Sequence, residues 1–132
     1  MSSAAGYAVY PDESTNYRYI IVLDINQMYL RENMCHELMH NIENRMTSED
    51  VSYFENWYKY NPRNFYYTYN YQNYESDGKY TKIESDVNNV YFVDDYSQTY
   101  ETEDKARIFE NVCGVDSNST LNDYPNLYKN KL

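Results

Sequence analysis

The chain has 132 residues, with 21 acidic against 11 basic side chains and a formal net charge of -10. This charge repels phosphate backbones and anionic lipid headgroups, which argues against nucleic acids and membrane surfaces as partners. The longest apolar run, Tyr19 to Leu23, is far too short to span a bilayer, and residues 1–30 lack the pattern of an export signal. The compartment stays open, and an extracytoplasmic location is compatible with a truncated chain.

The composition favours a single small domain. Nineteen tyrosines accompany only three glycines and three prolines, so the chain has enough aromatic material to pack a fold. Residues 1–17 are expected to be a partly ordered lead-in and residues 18–113 one domain. Residues 114–132 are expected to be a polar linker and the start of a C-terminal helix, consistent with a truncated domain. We expect the α+β class, with short strands packed beside two helices.

The first predicted elements are a strand and a long helix. The segment from Arg18 to Ile25 is rich in β-branched and apolar residues, which predicts a strand. Asn26 is the expected cap of a helix from Gln27 to about Arg45. An apolar stripe that recurs every four residues is expected to face the core. The stripe consists of Leu30, Met34, Leu38, Ile42 and Met46, flanked by Cys35 and Met39.

The remaining predicted elements are shorter. In chain order they are a helix from Ser48 through Tyr60, a strand or extended flap from Asn64 to Tyr74, a strand from Val90 to Tyr96, and a helix from about Tyr100 to Cys113. Thr99 is the expected N-cap of the last helix, and Gly114 its end. Alternate aromatic residues of the flap, among them Tyr67, Tyr69 and Tyr71, are interpreted as a half-buried sheet face rather than as a substrate cradle.

The motif HELMH contains the only two histidines of the chain, His36 and His40. They lie one helical turn apart, so both imidazoles project from one face and can bind one metal ion. Glu37 projects beside that face and can take a proton from metal-bound water. The alternative is a solvated helix face with two incidental histidines. The spacing around a glutamate makes a zinc site the favoured interpretation.

A catalytic zinc site needs a third protein ligand. The metzincin extension would require glycine and histidine at positions 43 and 46, where this chain has Glu43 and Met46, so that class is excluded. No histidine remains, and Cys35 points away from the metal side of the helix. The candidates left open are Cys113 and five carboxylates. These carboxylates are Glu55, Glu101, Glu103, Asp104 and Glu110.

The stretch YSQTYETEDKARIFE, Tyr96 to Glu110, resembles the distal segment of lethal-factor-type gluzincin peptidases and of a group of bacterial zinc-binding metallopeptidases. The matching positions are Tyr96, Thr99, Glu103, Ala106 and Phe109. The bacterial group is also similar in the strand before HELMH, in NW-x-x-YNP from Asn56 to Pro62, and in YFVDDYSQT. The resemblance covers about residues 18–112 and is specific within the motifs. It implies a zincin-like domain, Glu103 as the third ligand and Tyr96 as a donor to the substrate oxyanion.

One position departs from the lethal-factor pattern, because Arg107 stands where a second glutamate is usual. An arginine there can clamp a carboxylate such as Glu103 or Glu43 and so orient the site. For Glu43 itself, a solvent-facing position is the commoner outcome. Cys35 and Cys113 are expected to be buried as small apolar residues, and their number does not decide whether they form a disulfide.

The predicted function is zinc-dependent peptide-bond hydrolysis. Zn²⁺ held by His36, His40 and Glu103 would lower the pKa of its water to about 7, and Glu37 would act as general base. Tyr96 would stabilise the oxyanion, and the edge of the strand from Arg18 to Ile25 would align an extended peptide. The alternative is an inactive or truncated peptidase-like domain that binds zinc or a protein partner. A purely structural helical module would require both motifs to be accidental.

Overall fold

The computed structural model describes residues 5–72, 79–82, 86–113, 123–128 and 131. Its regular elements are strands β1 (Gly6–Val9) and β2 (Ile20–Leu23) and helices α1 (Leu30–Glu49), α2 (Glu101–Cys113) and α3 (Pro125–Tyr128). The expected α+β class is confirmed, whereas its zincin-like character stays a prediction. None of the helices in these ranges is long and apolar enough to cross a membrane. Gly114 and most of the predicted C-terminal linker lie outside the described residues.

The two strands form an antiparallel pair in which Gly6 is opposite Leu23 and Val9 is opposite Ile20. The predicted strand is therefore observed in a shorter form, and its partner comes from the expected lead-in. Gly6 is required because the backbone of β2 comes very close to it. A Cβ atom at this position would lie 2.8 Å from the Val22 carbonyl oxygen, and that oxygen cannot shift because it belongs to the paired strand.

Helix α1 begins and ends later than predicted. Tyr29 precedes it with φ 62°, whereas the Asn26 N–H donates to the Asp24 carboxylate, so Asn26 is not the cap. The helix also continues through Thr47 and Ser48. Their hydroxyls donate back to helix carbonyls at 2.8 and 2.7 Å, which lets short polar residues stay within a helix.

The orientation of α1 corrects the predicted apolar stripe. Leu30, Met34 and Leu38 are 39%, 45% and 37% exposed, so this half of the stripe faces solvent. The other, largely polar sides of α1 pack on α2 and on the two strands. The buried residues of α1 are Cys35, His36, Glu37, Asn41 and Glu43. Several of them make hydrogen bonds or ion pairs to α2 or β2, which apolar periodicity does not predict.

The segment between the two long helices is mostly irregular. The helix predicted from Ser48 through Tyr60 is reduced to turns and a 3₁₀ helix, Trp57–Tyr60, which ends before Asn61 as expected. No strand is assigned within residues 64–72, but the N–H groups of Thr68 and Tyr69 donate to the carbonyls of residues 98 and 99. The predicted strand at residues 90–96 is reduced to one bridge, between Thr81 and Phe92.

Helix α2 follows directly on a 3₁₀ helix, Tyr96–Gln98. It begins at Glu101, so Tyr100 rather than Thr99 occupies the position before it. The Thr99 hydroxyl instead donates to the Tyr96 carbonyl at 2.7 Å. Three acidic residues stand in the first turn of α2, where the helix dipole favours them, as the sequence predicted.

The core lies on the side of α2 that faces away from α1. Its apolar cluster consists of Trp57, Val90, Ile108 and Leu127, with Phe54, Tyr67, Val93 and Tyr124 packed against it. Asp104 is buried within this region and accepts hydrogen bonds from the Trp57 indole, the Tyr67 hydroxyl and the Lys131 ammonium at 3.0, 2.8 and 2.7 Å. Burial raises the pKa of Asp104, and the Lys131 charge opposes that shift. Glu103 and Asp104 are neighbours in sequence and lie about 100° apart around the axis of α2, so only Asp104 points into this core.

Candidate metal centre

His36 and His40 project side by side from α1 because they are one helical turn apart. Their rings meet edge to face, with centroids 4.9 Å apart. His36 is buried and His40 is half-buried. Both Nε2 atoms face the first turn of α2, so the helix packing directs the two imidazoles toward one point.

Glu103 of α2 reaches that point. Its Oε2 atom lies 2.9 Å from His36 Nε2 and 3.4 Å from His40 Nε2. All three groups offer ligand atoms within 4.8 Å of one another. Two ligand atoms about 2.0–2.1 Å from a tetrahedral zinc ion are themselves separated by roughly 3.3 Å. The spacing of the three side chains is therefore suited to a divalent metal ion.

The contact between His36 and Glu103 requires a positive charge between the two groups. When the His36 Nδ1–H donates to the Glu110 carboxylate at 3.0 Å, the Nε2 lone pair faces a carboxylate oxygen of Glu103. Two acceptors at 2.9 Å repel each other unless a proton or a metal ion lies between them. Burial lowers the pKa of His36, but its hydrogen bonds to the two carboxylates outweigh that effect and raise the pKa to about 9. A bound metal ion would replace that proton.

On the Nδ1 side of His36, three charged side chains follow one another in contact. Glu110 accepts from His36 Nδ1 and from Arg107, whose guanidinium lies 2.9 Å from the same carboxylate oxygen. The Nε atom of Arg107 is also 3.4 Å from the Asp94 carboxylate. A carboxylate on the far nitrogen of a ligand histidine fixes its tautomer and ring orientation. Glu110, a candidate for the third ligand, therefore contacts the opposite side of the ring.

The expected partners of Arg107 are thus wrong, because it clamps neither Glu103 nor Glu43. Glu43 is not solvent-facing but buried, and it pairs with the ammonium group of Lys105. This ion pair is one of the contacts that hold α1 against α2. Lys105 and Arg107 therefore hold Glu43 and Glu110 in ion pairs. The sequence pattern did not reveal these pairings.

The other candidates for the third ligand point elsewhere. Glu55 is exposed in a turn, and Glu101 pairs with a lysine of its own helix at 3.0 Å. Asp104 lies in the core, and Cys113 lies against the other cysteine. Within the described part of the chain, Glu103 is the acidic residue grouped with both histidines.

Glu37 lies beside the two histidines and is buried. Strand β1 lies against its side chain, because a Cβ atom built on Gly6 would be 3.4 Å from Glu37 Cγ. Burial raises the pKa of Glu37, and the nearby histidines and the Ala8 backbone N–H oppose the shift. A carboxylate with a raised pKa at the edge of a metal site is suited to accept a proton from water.

Two tyrosines complete the site, and the sequence singled out one of them. The ring centroid of Tyr96 lies 6.3 Å from that of His36, and the guanidinium of Arg107 lies over the Tyr96 ring, 4.7 Å from its centroid. Tyr71 donates its hydroxyl to Glu103 Oε1 at 3.0 Å and stacks on Tyr96 with centroids 6.0 Å apart. Burial, with Glu103 next in effect, raises the pKa of both phenols, so they remain hydrogen-bond donors.

The favoured interpretation of the tyrosine stripe as a half-buried sheet face is wrong for Tyr71. This residue is 49% exposed and lines an open cleft of about 600 Å³. The cleft is also lined by Glu103, by Tyr96, by residues 6–8 of β1, and by His36, Glu37 and His40 of the HELMH motif. All five sequence-predicted site residues thus face one cavity. The strand at its wall is β1 and not the predicted strand from Arg18 to Ile25.

Comparisons of the chain with models of known protein families, with curated proteins and with solved structures found no significant match. The resemblance to gluzincin peptidases therefore rests on the motif residues and stays a prediction. The geometry supports a coarser statement, namely that a His, His and Glu group of α1 and α2 could hold a metal ion.

Proposed function

We propose that this chain is a zinc-dependent peptidase of the gluzincin type, with zinc held by His36, His40 and Glu103. The observation that carries the proposal is the convergence of these three side chains from two helices, with Glu37 in the same cleft. An ion pair of His36 with Glu103 alone would hold the two helices together, but it would need neither a second imidazole on the same oxygen nor a second buried carboxylate in the cleft. Two histidines and one carboxylate with a fourth position for water form a donor set used by catalytic zinc.

A zinc ion bound there would polarise the substrate carbonyl and lower the pKa of its bound water to about 7. The residues of the chain supply the remaining chemistry. Glu37 accepts a proton from water in the cleft and delivers it to the leaving amine. Tyr96, which stays protonated, donates a hydrogen bond to the oxygen on which negative charge develops, while Tyr71 keeps its hydroxyl proton directed at Glu103. Glu110 keeps the His36 ring oriented throughout.

The substrate in this proposal is an extended peptide. Strand β1 pairs with β2 along one edge, and its residues 6–8 line the cleft beside Glu37. A peptide added along β1 would gain backbone hydrogen bonds with little dependence on sequence. The open cleft and the surrounding phenols suit a chain that passes over the metal centre.

The first test is metal binding. Purified protein is dialysed against a zinc buffer, and its metal content is measured for the wild type and for His36→Ala. The proposal expects about one zinc ion per chain in the wild type and loss of that ion in the variant. A wild-type protein that retains no zinc would overturn the proposed metal centre.

The second test separates catalysis from binding. Hydrolysis of a mixed peptide library is followed by mass spectrometry for the wild type, for Glu37→Gln and for the control Glu49→Gln, whose carboxylate is exposed at the end of the same helix. The proposal expects Glu37→Gln to retain zinc and lose hydrolysis, with the control unchanged. If the wild type binds zinc but cleaves nothing, the chain is a zinc-binding domain without peptidase activity.

A further inference from the structure

The only two cysteines of the chain face each other across the pair of long helices. The Sγ atoms of Cys35 and Cys113 lie 2.8 Å apart, although the residues are separated by 78 positions. Cys35 is buried in α1 as expected, whereas the expected burial of Cys113 is wrong, because it is exposed at the end of α2; both are free thiols. These two cysteines are placed for a covalent bond, because the sulfur atoms are already in contact and a disulfide would need them to approach by only about 0.8 Å more.

We propose that Cys35 and Cys113 are a redox pair that forms an intramolecular disulfide when the protein meets a small-molecule disulfide such as oxidised glutathione. The exposed Cys113 loses its proton and attacks one sulfur of that molecule, which releases one reduced glutathione and leaves a mixed disulfide. Cys35 then loses its proton and attacks the sulfur of Cys113, which releases the second glutathione. The two protein thiols are oxidised by two electrons, and one disulfide molecule is reduced to two thiols.

The proposed disulfide lies next to two residues of the candidate metal centre. Cys35 directly precedes His36, and Cys113 stands one turn after Glu110, the residue that accepts from His36. The disulfide would close a loop that contains His40 and Glu103 and would fix the distance between the two helices. This second effect rests on the proposed metal centre, whereas formation of the bond does not. The oxidised chain holds its donor groups together before the metal arrives and should release the metal more slowly.

The bond itself is tested on the full chain without reference to metal. Folded protein is incubated with oxidised or reduced glutathione, alkylated under denaturing conditions and weighed intact. The proposal expects the oxidised sample to take up no alkyl group and to be lighter by about 2 Da than the unalkylated reduced chain, as one internal disulfide requires. Digestion should recover a peptide that joins Cys35 to Cys113. The matched variants Cys113→Ser and Cys35→Ser should each retain one thiol or carry one glutathione.

Three results would overturn this proposal: a wild-type protein whose two thiols both remain open to alkylation, one that carries stable mixed disulfides, or one that forms covalent dimers. A second measurement tests the mechanical effect. The oxidised wild type should unfold at a temperature roughly 10 °C higher than the reduced form, a shift that Cys113→Ser should not show in the same oxidant.

Zinc release to excess chelator should be at least about tenfold slower in the oxidised form, since exchange of a bound ion requires the helices to separate locally. Equal release rates for a protein shown by mass to be oxidised would refute the effect on the cleft. If the chain binds no zinc at all, the proposed function fails, and the mass measurement still decides the disulfide.

Discussion

Glu110→Gln tests the residue that supports His36 in the proposed metal centre. The Glu110 carboxylate is mostly buried and lies 3.0 Å from His36 Nδ1 and 2.9 Å from Arg107. Glutamine preserves the size and one acceptor oxygen but removes the charge that makes the imidazole a stronger ligand. Loss of such an outer partner lowers metal affinity by about 10- to 100-fold, or about 1.4–2.7 kcal/mol. The matched control is Glu49→Gln, because Glu49 is 57% exposed in an ordinary ion pair within α1.

The assay is a zinc titration against a chelator of known affinity, near pH 9. This pH matters because Glu110 also contributes to raising the pKa of His36 to about 9. At lower pH a proton on His36 competes with zinc, and removing the Glu110 charge would weaken the binding of that proton as well as the binding of zinc. The two effects on the apparent zinc affinity would then partly cancel. We expect weaker zinc binding for Glu110→Gln and unchanged binding for Glu49→Gln. A change smaller than about twofold for Glu110→Gln would refute the assigned role, since outer partners of this kind contribute more.

Three further predictions follow from the site and the core. Tyr96→Phe should lower kcat roughly 100-fold with zinc retained, while the exposed Tyr66→Phe should not; equal kcat values in steady-state assays would exclude Tyr96 as an oxyanion donor. Protein stripped of metal should lose about 3 kcal/mol of stability as the pH rises from about 6.5 to about 9, because the raised pKa of His36 stabilises the fold only while the ring is protonated. Urea titrations across that range would show it, and a flat profile would contradict it. Lys131→Met should cost about 3–5 kcal/mol in the same assay by leaving Asp104 buried without its cation, and a loss below about 1 kcal/mol would show that Asp104 becomes neutral instead.

The sequence predicted those features that depend on local spacing. The positions of His36, Glu37 and His40 on one helix follow from the period of the α-helix, and the second helix follows from its acidic first turn. A short strand before HELMH was also predictable from its β-branched residues. These elements need no information about distant parts of the chain, which is why pattern and propensity suffice.

Contacts between elements that are far apart in sequence were harder to predict from the sequence. Glu103 and Glu110 lie two turns apart on one side of α2, so periodicity cannot tell which contacts Nε2 and which Nδ1 of the same histidine. The apolar period of α1 did not predict that Leu30, Met34 and Leu38 face solvent, or that Glu43 is buried in an ion pair with Lys105. Tyr71 belongs to an irregular segment, and only the folded chain brings its hydroxyl to Glu103. Each of these depends on contacts between residues far apart in sequence.

The adjacency of Glu103 and Asp104 couples the interior of the protein to its cleft. Hydrogen bonds from Trp57, Tyr67 and Lys131 to Asp104 set the rotation of α2 about its axis. With side chains extending about 5–6 Å from that axis, a rotation of roughly 10° displaces a carboxylate by about 1 Å. Metal-ligand distances tolerate deviations of only about 0.2 Å. If the proposed metal centre is correct, substitutions in the interior that leave the fold intact should shift the ligand positions, and we expect zinc affinity to report on the packing around Asp104 more sensitively than unfolding does.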